Sequence, residues 1–160
     1  MPAKRLAAIR IRGRVNISHN IRNTFSLLRL HKPNHLVIID DRPSYLGMLK
    51  KVSPAFIAWG ELSPETLEHL LLKWGRLPGN KRLTEDYIRE NTKFKSLQKF
   101  IEAFMAFKAE FSDIPNFKPV FRLHPPRKGL GRRGKKRHVK EGGVLGYWGS
   151  DIENLISRMS

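Results

Sequence analysis

The chain has 160 residues, 40% of them hydrophobic and none cysteine, with 31 Lys and Arg against 14 Asp and Glu, a formal net charge of +17 and an isoelectric point near 10.7. That length suits one domain with at most an appendage, which would bury roughly 68–70% of the surface of its unfolded chain. The lack of cysteine excludes a disulfide scaffold, thiolate zinc sites, Fe–S ligation and thiol catalysis, and fits a reducing intracellular compartment. No apolar run approaches the length of a bilayer span. The first residues alternate apolar side chains with Arg and lack the apolar segment and cleavage site of a secretory signal, so the glycosylation pattern Asn16-Ile17-Ser18 is expected to be idle.

In chain order, residues 4–12 alternate so that Ile9 and Ile11 face one way and Arg10 and Arg12 the other, which predicts a strand with a basic face. After Gly13, Asn16 or Ser18 can cap a helix that carries Ile21, Phe25 and Leu28 and ends near His31, because Pro33 cannot continue it. Residues 35–40 are a β-branched run bounded by turn residues, the pattern of a buried strand. Pro43 suits a first helical turn, with Tyr45, Leu49 and Val52 on one face, Lys50 and Lys51 at the end and Pro54 as the stop. Residues 55–59 read as a third strand.

Beyond that the pattern turns helical. Ser63 and Pro64 open a helix over 63–75 with Leu67, Leu70, Leu71 and Trp74 as its buried stripe. A turn follows over 76–83, then a short helix over 84–91 and a longer one over 96–111, whose Leu97, Phe100, Ile101, Phe104 and Phe111 share a side. That aromatic stripe is assigned to packing. A fourth strand is expected near 119–123, then a basic loop over 124–143, and a C-terminal helix over 150–159 opened by the capping box Ser150-Asp151-Ile152-Glu153. No internal repeat is evident.

The charge is concentrated. Residues 1–39 hold 8 basic and no acidic residues and residues 122–140 hold 9 and none, whereas residues 40–110 hold 12 and 10. Two cationic segments on an otherwise balanced chain point to a polyanion, since Lys and Arg gain affinity by displacing counterions from phosphates. An anionic membrane ranks lower because neither segment is an amphipathic helix with a broad apolar face.

Other motifs carry little. Gly129, Gly131 and Gly134 match G-x-G-x-x-G, but Lys135, Lys136 and Arg137 follow where a dinucleotide site needs an apolar helix. The same stretch misses a P-loop by one residue, with Lys136 in the place of the magnesium-binding Ser or Thr. Two G-x-x-G matches, at 131–134 and 143–146, lack the flanking helices of a KH loop. Pro33 between His31 and His35 breaks the helix that would turn that pair into a metal site, and Asp40 and Asp41, on opposite faces of a pleat, are expected to end their strand and cap the next helix. No catalytic or metal-binding residues are assigned. The glycines of the basic segment suit an extended or disordered loop that lets backbone approach phosphate and is mobile without its partner.

The Arg-rich first strand, Asp-Arg-Pro-Ser-Tyr-Leu-Gly-Met-Leu-Lys-Lys-Val at 41–52, Arg-Leu-His-Pro-Pro-Arg-Lys-Gly at 122–129 and Val-Lys-Glu-Gly-Gly-Val-Leu-Gly at 139–146 together carry a resemblance. The chain resembles the L-thirty family of large-subunit ribosomal proteins in its longer archaeal form, a family related to the eukaryotic L-seven proteins. Residues 3–60 match the core shared with the short bacterial form and 61–160 the archaeal extension.

The resemblance implies an α+β fold: a β-α-β-α-β core over 1–60 with ferredoxin-like similarity, and an extension over 61–160 with helices, a basic loop and a C-terminal helix, packed as one compact unit. It implies no enzymatic activity and no cofactor, but a structural place, as a monomer in the cytoplasmic ribosome, against large-subunit ribosomal RNA, with 5S rRNA and neighbouring ribosomal proteins as further partners. Carried over by position, the implied RNA contacts are Arg10, Arg12, Arg14 and Asn16 at the strand end and Arg22 on the first helix. In the loop they are His124, Arg127, Lys128, Arg132, Arg133, Lys135, Lys136, Arg137, His138 and Lys140. The alternative is a DNA-packaging or regulatory protein, which would want a recognition helix or a wedge-bearing arm; neither stands out.

Overall fold

A computed structural model describes residues 4–160, so the first three residues of the expected core segment lie outside the described residues. Five strands, β1 (Arg5–Arg10), β2 (His35–Asp40), β3 (Ile57–Glu61), β4 (Phe121–Arg122) and β5 (Gly146–Tyr147), form one sheet in the order β4-β2-β1-β3-β5. The β3–β5 pair is parallel and the others are antiparallel. Six helices accompany them: α1 (His19–Leu27), α2 (Pro43–Val52), α3 (Pro64–Trp74), α4 (Glu85–Asn91), α5 (Leu97–Met105) and α6 (Ile152–Met159).

Because side chains alternate along a strand, each face of the sheet has its own core. Leu6, Ala8, Val37 and Ile57 pack with Phe25 of α1, Leu28 just beyond its end, and Leu49 and Val52 of α2. Ala7, Ile9, Leu36 and Ala58 pack with the buried stripes of α3, α5 and α6. The result is three layers, helices on sheet on helices, with β4 and β5 extending the two edges of the sheet. Gly60 makes one close approach possible: a Cβ there would lie 2.2 Å from the Gly149 carbonyl, where the turn before α6 crosses β3.

β1 has a neighbour on both edges and a layer on both faces, and all six of its residues are buried. The expected basic face is therefore not a surface. Arg5, 3% exposed, forms an ion pair with buried Asp40, and its Nη2 donates to Glu110 Oε1 at 3.1 Å. Its Nε donates to the Phe104 carbonyl at 3.1 Å and its Nη2 to that of Ala109 at 3.2 Å, while the guanidinium lies 4.0 and 4.2 Å from the centroids of the Phe104 and Phe107 rings. Asp40, expected to cap the next helix, instead joins Arg5 and the exposed Arg42; the N-cap of α2 is Arg42 and accepts no side-chain hydrogen bond.

The same arginine accounts for a second departure. α5 ends at Met105 rather than at 111, because Phe107 takes a left-handed conformation (φ 59°) that lets residues 107–110 wrap around Arg5. A left-handed non-glycine residue costs roughly 1–2 kcal/mol, which the ring–guanidinium contact and the accepted hydrogen bonds offset. Phe111 reaches the expected cluster from a short 3-10 turn, its ring centroid 4.4 Å from that of Phe104.

Local signals fared better where they were self-contained. Ser63, Thr84 and Ser96 each accept a backbone N–H at the starts of α3, α4 and α5. The capping box at 150–153 does not form, since a 3-10 turn over Gly149–Asp151 leads directly into α6. α1 likewise starts after Ser18 without a side-chain cap, and the third strand runs Ile57–Glu61 rather than 55–59.

Removing Asp40 strands a buried guanidinium that keeps only the half-exposed Glu110 and two carbonyls. Asp40→Ala is expected to lose about 3 kcal/mol in urea unfolding, whereas Arg42→Ala, which removes the solvent-exposed partner, is expected to cost under about 0.5 kcal/mol.

Candidate nucleic-acid interface

Strand directions bring the two cationic segments together. β1 ends, and β2 begins, at one end of the sheet, where the Asn34 N–H donates to the Arg10 carbonyl at 2.7 Å. β4 is antiparallel to β2 and so ends there as well, while β3, antiparallel to β1, and β5, parallel to β3, begin there. The basic loop between β4 and β5 therefore leaves and returns at the end where residues 11–18 emerge. In doing so it crosses from one sheet edge to the other, roughly 19 Å at the usual strand spacing.

The strand-end cations differ in what they can reach. Arg10, 2% exposed, donates to the carbonyls of Leu30 (2.7 Å), Arg12 (2.9 Å), Gly13 (3.1 Å) and His31 (3.3 Å), with its guanidinium 3.9 Å from the Phe25 ring centroid. Burial, and then the charge of Arg14, lower its pKa from the ordinary value. Arg10 thus shapes the 11–14 and 30–31 backbone from inside. Arg12 is half-buried, donating to the Ala55 carbonyl at 3.0 Å. Arg14, Asn16 and Arg22 are exposed, and Asn16 takes a left-handed turn (φ 55°) of the kind Asn tolerates. Arg10, Arg14 and Arg22 line one cleft of about 150 Å³ together with His31.

The loop is folded back rather than extended. At its root the His124 N–H donates to the Met159 carbonyl at 3.0 Å, the Arg127 N–H donates to the Arg158 carbonyl at 2.8 Å, and Arg158 Nε returns a bond to the Arg127 carbonyl at 3.1 Å. Toward the tip, the Val144 and Leu145 N–H groups both donate to the Arg137 carbonyl at 3.1 Å, and the Val139 N–H donates to the Leu145 carbonyl at 2.8 Å. Two 3-10 turns, Gly134–Lys136 and Val139–Glu141, lie between. Gly143 is needed for this return, since a Cβ there would sit 2.1 Å from the Arg137 carbonyl oxygen.

This frame presents Arg127, Lys128, Arg132, Arg133, Lys135, Lys136, Arg137 and Lys140 to solvent, with Glu141, 3.8 Å from Arg137, the acid within the segment. Two expected contacts have internal partners. His138 is half-buried, its Nδ1 accepting from the Lys140 N–H at 3.2 Å, and the His124 ring packs edge-on to Trp74 at 4.8 Å. Neither G-x-x-G stretch joins two helices: 131–134 enters a 3-10 turn and 143–146 leads into β5.

A second cleft at this end, about 280 Å³ and lined by His31, His35, Arg76, Lys118 and Arg122, corresponds to none of the contacts expected from sequence. Arg76 and Lys118 meet through an isolated bridge, with the Lys118 N–H donating to the Arg76 carbonyl at 3.0 Å. Burial, and then the charges of Arg122, His31, Lys32 and Arg10, push the His35 pKa below its ordinary 6.5, so this ring is neutral at pH 7. Among the described residues, no three His, Asp or Glu side chains gather as a metal site.

Comparison with known proteins supplies the class. The family model described as ribosomal protein L30p/L7e matches residues 6–55. The chain is similar to the large ribosomal subunit protein uL30 of Methanopyrus kandleri, with 46% identity over 93% of this chain and 99% of that one. It is similar to the uL30 proteins of Archaeoglobus fulgidus (45% identity, 96% of this chain and 98% of that one) and Methanococcus maripaludis (46%, 96% and 97%).

The division between inner and outer arginines is open to direct measurement. Arg10→Ala, which removes a charged donor from four carbonyls, is expected to cost about 3 kcal/mol in thermal or urea unfolding. Arg14→Ala, exposed on the same segment, is expected to stay within about 0.5 kcal/mol of the parent.

Proposed function

Because this chain belongs to the ribosomal protein L30p/L7e family, we propose that it binds ribosomal RNA with the one end of its sheet at which its two basic segments converge. The family's role is structural and not enzymatic, and the chain takes that role in the large subunit of the cytoplasmic ribosome. The observation that carries the finer reading is topological: a charge excess split between two distant stretches of sequence becomes a single cationic end.

In this reading Arg14, Asn16 and Arg22 meet RNA from one side and the exposed loop cations, Arg127 to Lys140, from the other. Arg12 adds the part of its guanidinium not spent on Ala55. Arg10, His124 and His138 hold the backbone that presents these groups. Cations spread over two loops suit the phosphates of folded RNA, whose recognition rests on shape and backbone contact. A DNA reader would instead concentrate base-reading side chains on one helix, and α1 presents Arg22 alone at this end. 5S rRNA and neighbouring ribosomal proteins are further partners in this proposal.

The test is salt dependence. Replacing Arg132, Arg133, Lys135 and Lys136 together by Gln removes four exposed charges while leaving the backbone bonds of the loop in place. Filter binding to deproteinised large-subunit rRNA is expected to show weaker affinity and a log–log salt slope reduced by about 3, with an unchanged circular dichroism spectrum. An unchanged slope would remove the loop from the interface.

A further inference from the structure

The second cleft is not a plain extension of a phosphate-binding surface. Its floor is apolar, made of Phe117, Pro119 and Val120, and its rim carries the cations Arg76, Lys118 and Arg122, with no acidic residue in the lining. Phosphates alone call for cations and would gain nothing from an apolar floor. A cation rim around an apolar floor is the pairing that an unstacked nucleotide requires, its base losing water against the floor while its phosphate meets the rim.

Size narrows the ligand further. At about 280 Å³ the cleft falls just below the roughly 300 Å³ at which pockets for drug-sized ligands begin, a size that suits one base. Its place in the fold also fits a nucleotide belonging to the RNA already bound. His31 lines both this cleft and the one beside Arg14 and Arg22, and Arg122 ends the strand from which the basic loop departs. His35, neutral and half-buried in the lining of this cleft, contributes a polar edge without a further positive charge.

We propose that this cleft seats a single unpaired nucleotide of the bound ribosomal RNA, with its base on Phe117, Pro119 and Val120 and its phosphate held by Arg76, Lys118 and Arg122. The proposal rests on the RNA-binding reading above and adds to it a site that none of the sequence-derived contacts includes. It makes the protein a clamp on one extruded residue as well as a neutraliser of backbone charge. Specificity then comes from whether the RNA has an unpaired residue at that place, because a paired base pays the cost of unstacking before it can enter.

The absence of cysteine allows a site-directed test. Lys118→Cys at the exposed rim of the cleft, and Arg133→Cys on the exposed loop as a reference, are each modified as free full-length chains with azidophenacyl bromide, incorporated into large subunits and irradiated, and the crosslinked rRNA positions are read by primer extension. The expected result is one dominant crosslink from position 118, at a nucleotide that is unpaired in the rRNA secondary structure. Crosslinks from 118 spread over helical positions, or captured by protein, would overturn the nucleotide seat. Silence at 118 with crosslinks at 133 would overturn the seat and leave the RNA-binding reading standing, and silence at both would overturn both. As a second readout, Lys118→Ala with Arg122→Ala is expected to raise dimethyl sulfate or SHAPE reactivity several-fold at that one nucleotide, and an unchanged reactivity would contradict the proposal.

Discussion

A strand with a neighbour on each edge and a packed layer on each face leaves its side chains no solvent, and β1 is such a strand. Its two terminal arginines are therefore buried, one on each side of the sheet, and a buried guanidinium persists only where carboxylates, carbonyls or rings surround it. Arg5 draws Asp40 and residues 104–110 to one end of the strand, and Arg10 draws residues 12–13 and 30–31 to the other. The loops on which the cationic surface stands are positioned by these buried arginines.

The division of labour among cations follows from that constraint. A guanidinium that is buried and spends four of its five N–H donors on carbonyls is withheld from phosphate, whereas Arg14 and the loop tip carry their charge in solvent, where counterion release can reward binding. Similar residue types, a few positions apart, thus do different work according to the layer in which they lie. The loop repeats the pattern on a smaller scale: Gly143 permits the chain to close on the Arg137 carbonyl, His138 caps the next turn, and Arg132, Arg133, Lys135 and Lys136 remain free on the outside.

What the sequence made legible was local or carried by resemblance. The helices after Ser63, Thr84 and Ser96 need only a capping oxygen and an apolar stripe, and both are visible in a short window. The family, and with it the α+β core, was legible from the motifs at 41–52, 122–129 and 139–146. Features that depend on distant partners were not. Alternation placed Arg10 on a basic face because nothing nearby signals that α1 will cover it, and Asp40 looked like a cap because its partner Arg5 lies on another strand. α5 ran too far on paper because Phe107, a non-glycine residue, adopts the left-handed turn on account of Arg5. The convergence of 11–22 with 124–140, and the cleft in which Arg76 and Lys118 meet His31, His35 and Arg122, arise from strand order and direction, which composition does not contain.

The central claim, that one end of the sheet faces ribosomal RNA, is tested most directly by lysine footprinting of intact large subunits against the free chain. Lys128, Lys135, Lys136 and Lys140 are exposed in the chain by itself, and Lys4, beside Arg5 at the opposite end of the sheet, is exposed as well. The account predicts that the four loop lysines lose reactivity toward a small acylating reagent in the subunit and regain it after ribonuclease digestion, with Lys4 unaffected by the ribonuclease. Loop lysines as reactive in the intact subunit as in the free chain would contradict it.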